Sequence, residues 1–184
     1  MNQRPPILGG VIVLVVLLAA LVGSQVVFAQ LSPAPDQPIG FTHKTHAGGL
    51  QISCLFCHRN ADKGINASVP AVEQCMFCHK VVEGESAGSR TEIDKVQAAF
   101  ASEDPIDWLR VHRMPDHVRF VHEAHVRGLG ARNPGITIQQ LCSTCHGDMP
   151  NTVKVSQVQR LKMGDCVACH RQKNAPTDCI TCHK

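Results

Sequence analysis

Cys166-Val-Ala-Cys169-His170 and Cys179-Ile-Thr-Cys182-His183 stand eight residues apart near the C-terminus of this 184-residue chain. The same pentapeptide, C-x-x-C-H, recurs at Cys54-Cys57-His58, Cys75-Cys78-His79 and Cys142-Cys145-His146. The five copies use all ten cysteines. Two thiols at this spacing can add to the two vinyl groups of one haem, and the histidine that follows is then held under the iron as its proximal ligand. The pattern therefore predicts five covalently attached haems c, with His58, His79, His146, His170 and His183 as proximal ligands. Zinc knuckles and redox dithiols also use C-x-x-C. Five pairs do not divide evenly into four-cysteine zinc sites, and neither alternative explains a histidine after every second cysteine.

Composition fits a chain whose core is its cofactors. Only 4% of residues are aromatic, there is no Tyr, and much of the aliphatic content lies in the first 30 residues. The expected fold is short helices and loops wrapped around five haems, with little or no sheet. The formal charge of +3 is offset by two propionates per haem, so the basic balance carries no inference of nucleic-acid binding.

The N-terminus bears on location. From Ile7 to Ala29 the chain is apolar except for Ser24 and Gln25. As a helix this stretch would extend about 34 Å, enough for a hydrocarbon core of about 30 Å. A cleaved export signal is the competing reading, since Val27-Phe28-Ala29 suits a signal peptidase. The apolar stretch is longer than the usual 7–15 residues of such signals, which favours a retained anchor. One transmembrane helix over 1–30 is expected, with the short basic end inside and the haem region on the periplasmic or extracellular face of a bacterial cytoplasmic membrane. A proline-rich tether, 31–40, follows.

The remainder divides into a dihaem module, 41–82, a linker, 83–110, and a trihaem module, 111–184. Phe41-Thr-His43-Lys-Thr-His46 recurs as Phe120-Val-His122-Glu-Ala-His125. Histidines three apart on a helical turn can reach two adjacent irons, so His43, His46, His122 and His125 are expected as sixth ligands. His43 is assigned to the Cys54–His58 haem and His122 to the Cys142–His146 haem. The second histidine of each pair reaches another haem of its module. His112 or Met163 is expected on the fifth iron; a methionine there would raise the potential. His117, after the turn-forming Pro115-Asp116, is assigned to solvent or to a propionate. In the linker, Thr91 to Asp94 resembles a capping box for a short helix reaching Phe100. Trp108 is placed beside a haem or in an ordinary core.

F-x-H-x-x-H ahead of C-x-x-C-H resembles the class III multihaem cytochromes c. The wider arrangement is similar to the ActA-type pentahaem cytochrome subunit of the alternative complex III family of quinol oxidoreductases. The likeness rests on the N-terminal apolar segment, the five motifs, Trp108-Leu-Arg-Val-His112, Pro115-Asp-His-Val-Arg-Phe-Val-His122-Glu-Ala-His125, and the tail from Leu161. It covers nearly the whole chain outside 83–100. The resemblance implies a relay subunit without catalytic residues of its own. Menaquinol would be oxidised in a partner, among integral-membrane and peripheral subunits. A soluble carrier such as a monohaem cytochrome or copper protein would accept the electrons. Similar segments occur in cytochrome subunits of other quinone-linked molybdopterin-type complexes, and a membrane-anchored quinol dehydrogenase shares the architecture. A catalytic oxyanion reductase would need an iron with a free sixth position, which the supply of spare histidines disfavours.

Overall fold

The computed structural model describes residues 6–30 and 34–183, without the side chains of 6–9 and 25–30. The chain forms two compact units, Met1–Ala34 and Pro35–Lys184. In the first, α1 (Pro6–Gln30) is one continuous helix. Its sequence is apolar on every side, as in helices surrounded by lipid or protein, and its described side chains, 10–24, are exposed. Among the described residues no helix is long and apolar enough to cross a membrane. The anchor expected over 1–30 extends at both ends beyond the described side chains.

The second unit is helical. A π-helical turn, Lys44–Gly49, is followed by α2 (Cys54–Cys57), α3 (Val72–His79), α4 (Ala87–Ala101), α5 (His122–Arg132) and α6 (Ile138–His146). A 3-10 turn, Met149–Asn151, leads to α7 (Met163–Gln172) and α8 (Cys179–Cys182). Among the described residues there is no strand, only one isolated antiparallel bridge between Val118 and His183.

The protein encloses little apolar volume by itself. Among the described residues the buried apolar side chains are Ile39, Ala47, Ala61, Val72, Met76, Val96 and Leu141, and no side chain falls below 2% exposure. Four of them, Ile39, Val72, Met76 and Val96, form one cluster, with Cys75, Ala99, Ile106 and Trp108 packed against it. Trp108 thus lies at the seam where α4 covers α3. The start of α4 differs from the expectation. Ser86, not Thr91, is the N-cap: its hydroxyl accepts from the Ser89 amide at 3.1 Å, and the Ser89 hydroxyl accepts from the Ser86 amide at 3.0 Å. The linker carries its cap earlier than expected because two serines can serve as a reciprocal pair, although Ser89 stands where glutamate or glutamine is usual.

The two haem-motif segments interleave. The Lys44 amide donates to the Thr152 carbonyl at 2.9 Å, and Gln139 Nε2 donates to the Ala47 carbonyl at 3.1 Å. At the start of α5, the His122 and Glu123 amides donate to the carbonyls of Ile65 and Gly64, each at 3.0 Å. Arg127 Nε adds a bond to the Asp62 carbonyl at 3.0 Å. Two of the open amides of this helix N-terminus are therefore satisfied by the loop that follows the first motif. Gln37, within the proline-rich stretch, makes a reciprocal pair with the Leu109 backbone at 2.8 and 2.9 Å.

Candidate haem-binding site

Each C-x-x-C segment is helical, in α2, α3, α6, α7 and α8 respectively. The two thiols of a pair therefore lie one turn apart on the same side of a helix, and all ten cysteines are free. Thiols of different motifs also lie close together. Cys142 hydrogen-bonds to Cys54, which lowers the Cys54 pKa to about 6 and raises that of Cys142. Cys57 is raised by burial and then by Cys75. Burial and then Cys169 and Cys166 raise Cys145, while burial, Asp165 and Cys182 raise Cys166. By this hydrogen bond and these electrostatic influences the motifs follow one another in the order second, first, third, fourth, fifth.

The histidines are arranged in pairs. His43 faces His58 with ring centres 6.4 Å apart and planes within 9°. His46 faces His79 at 6.2 Å and 65°, and His125 faces His170 at 6.0 Å and 50°. His117 faces His183 at 5.6 Å and 13°. Two metal–nitrogen bonds of about 2 Å, plus about 1.1 Å from each nitrogen to its ring centre, place two imidazoles on one metal about 6 Å apart. These four separations fit one iron between each pair. His112 lies edge-on to His146 at 4.7 Å and 81°, closer than that spacing. His122 is near both of them, since it contributes to lowering the pKa of His112 and of His146.

The sequence reading leaves one iron to His112 or Met163 and assigns His117 to solvent or a propionate. In the structure His117 is the side chain beside His183. Met163 is 66% exposed at the start of α7. His117 was readable only as a histidine after a turn. The signal that would have found it is pairing across the chain between Val118 and His183, which adjacent sequence does not reveal.

Six rings present a consistent tautomer. Nδ1 of His46, His122 and His125 lies 2.9, 3.0 and 2.8 Å from the carbonyls of Thr42, Ile65 and Val121. Nδ1 of His58, His79 and His170 lies 2.6, 3.1 and 2.5 Å from the carbonyls of Ser68, Val82 and Pro176. A carbonyl only accepts, so Nδ1 carries the proton and the lone pair of Nε2 is left for a metal. The repeated phenylalanine fixes ring orientation in the same way twice. Phe41 stacks on His46 at 4.5 Å and meets His43 edge-on at 5.0 Å. Phe120 stacks on His125 at 4.3 Å and meets His122 edge-on at 4.9 Å.

Burial keeps the central imidazoles neutral. His43 and His146 are each pushed down to about 4, by burial first and then by neighbouring histidines. His112 is lowered by burial and then by His122. Neutral imidazole is the form that binds metal. Nδ1 of His43 and Nε2 of His112 are buried without a hydrogen-bond partner, an arrangement that costs free energy unless another group satisfies it. Paired thiols, adjacent histidines and facing imidazoles together fit haem c.

Fold and site define a helical multihaem cytochrome c-like chain, whose cofactor class is covalently bound haem c. Residues 118–184 match the family described as cytochrome c7 and related cytochrome c. The chain is also 29% identical, over 170 residues, to the menaquinone reductase, multihaem cytochrome c subunit, of Nitratidesulfovibrio vulgaris (strain Hildenborough). The alignment covers 81% of this chain and 77% of that protein.

Proposed function

We propose that the chain is a pentahaem cytochrome c that relays electrons within a quinone-linked membrane complex. The observation that carries this reading is that four of the five motif histidines have a non-motif histidine at the spacing of two ligands on one metal, while His112 lies against the fifth. Haem iron, when bound, supplies reversible one-electron exchange. The ten cysteines would bind the porphyrins, and the five motif histidines would each ligate one iron. His43, His46, His122 and His125 would supply a second ligand to four of them. Backbone carbonyls lock most of these rings, so little rearranges when charge changes. Iron filled on both faces has no position for substrate, which supports relay over oxyanion reduction. The path follows the order of neighbouring motifs, from the Cys75–His79 end through Cys54–His58 to the Cys179–His183 end.

The finer reading, menaquinol oxidation in an alternative complex III-type assembly with delivery to a soluble acceptor, is supported by the sequence resemblance. The name of the Nitratidesulfovibrio relative favours the opposite direction, towards menaquinone, on the same haem path. Helix α1 serves as the anchor in either case. The complex purified from native membranes is mixed anaerobically with a menaquinol analogue, or with a reduced monohaem cytochrome followed by menaquinone, while the haem α-band is followed. Rapid haem reduction by either donor, with turnover by its acceptor, supports relay and fixes direction. A chain that purifies alone and turns over nitrite by itself would sink the relay reading.

A further inference from the structure

We propose that His117 is the sixth iron ligand of the haem carried by Cys179 and Cys182, opposite His183. The assignment rests on the pentahaem reading above and names a ligand within it. The His117 and His183 rings are 5.6 Å apart with planes within 13°, close to the 6.4 Å and 9° of His43 and His58. The other non-motif histidines are engaged elsewhere. His43, His46 and His125 face His58, His79 and His170. His112 sits against His146, and His122 lies in the same group. The Cys142–His146 position therefore has two non-motif histidines to draw on, and the last position has His117.

The backbone holds this pair together just C-terminal to His117. The Val118 amide donates to the Pro115 carbonyl at 2.9 Å, closing a turn around His117. Val118 then bridges to His183, and the Arg119 amide donates to the Cys182 carbonyl at 2.7 Å. These last two contacts are made to the motif that would carry the haem. Segment 115–119 thus clamps the last C-x-x-C-H by its main chain and presents a histidine to it. A role limited to propionate orientation would not require His117 to lie parallel to the motif histidine at ligand spacing.

The test uses the full-length holoprotein with His117→Ala and His117→Met. Haem content is read by mass, spin state by low-temperature paramagnetic resonance, and potentials by redox titration. With His117→Ala the chain should keep five haems, with one iron turning high-spin, and added imidazole should return that iron to the low-spin state. His117→Met should stay low-spin with one potential raised, because a thioether ligand favours the reduced iron. Five low-spin irons with unchanged potentials in His117→Ala, before imidazole is added, would overturn the assignment. Should His117→Ala fail to accumulate, His117→Met decides: one raised potential supports ligation and unchanged potentials refute it. A parent chain with fewer than five haems would instead refute the pentahaem reading, and would refute the ligand as well if the missing haem were the one on Cys179 and Cys182.

Discussion

Gly48→Ala tests how the two haem-motif segments are held together. Gly48 lies in the π-helical turn that carries His46, against the 3-10 turn at Met149–Asn151. A methyl group there would overlap the Pro150 carbonyl oxygen, and its distance to the Pro150 carbonyl carbon would be 3.2 Å. Both sides of this contact are backbone, so no flexible side chain can give way. Overpacking of this kind costs about 1–3 kcal/mol. Moving the turns apart also strains the nearby Lys44–Thr152 bond, worth about 1 kcal/mol. A total of about 2–4 kcal/mol should lower the unfolding midpoint by about 5–15 °C for a unit of this size. The assay is thermal unfolding of the holoprotein followed in the Soret band, with Gly88→Ala as a comparison. Gly88 is in α4 with only the Ser86 hydroxyl near a new methyl, at 4.0 Å. Alanine there should stabilise by about 0.5–1 kcal/mol through helix propensity. An unchanged midpoint for Gly48→Ala would refute the close approach of the two turns.

The mass of the mature chain should show five added haems and no zinc; a smaller number means that a motif goes unused. His46→Ala and His125→Ala should each change the low-spin signature and potential of one haem, and paramagnetic resonance that is identical to the parent for either would contradict pairwise ligation. Haem-free protein, prepared by blocking attachment, should lack a cooperative thermal transition in circular dichroism, since few apolar side chains are buried without the cofactors. The native protein should fractionate with membranes and retain Met1-side sequence; an N-terminus at Gln30 would show that α1 is removed.

The parts of the site set by local spacing were legible in the sequence. Histidines three apart share one helical turn, so the adjacency of His43 to the first motif and of His46 to the second follows from F-x-H-x-x-H. What depended on tertiary pairing was hidden. His117 reaches His183 through a bridge between residues far apart in the chain, and a turn-forming Pro-Asp gives no sign of it. The cap of α4 escaped because Ser89 replaces the usual acidic or amide partner. The interlock of the loop after the first motif with the start of α5 escaped because main-chain bonds leave no mark on residue type.

Main-chain acceptors behind six of the histidines have a consequence for variation. A carboxylate partner would make ring basicity depend on a residue that a single substitution can delete. A peptide carbonyl persists whatever side chain stands at Thr42, Ile65, Ser68, Val82, Val121 or Pro176. The surrounding sequence can therefore drift widely while the electron-donating strength of these rings is preserved. Differences in driving force between homologous chains would then come from ligand identity, burial of the porphyrins and nearby charge rather than from these hydrogen bonds.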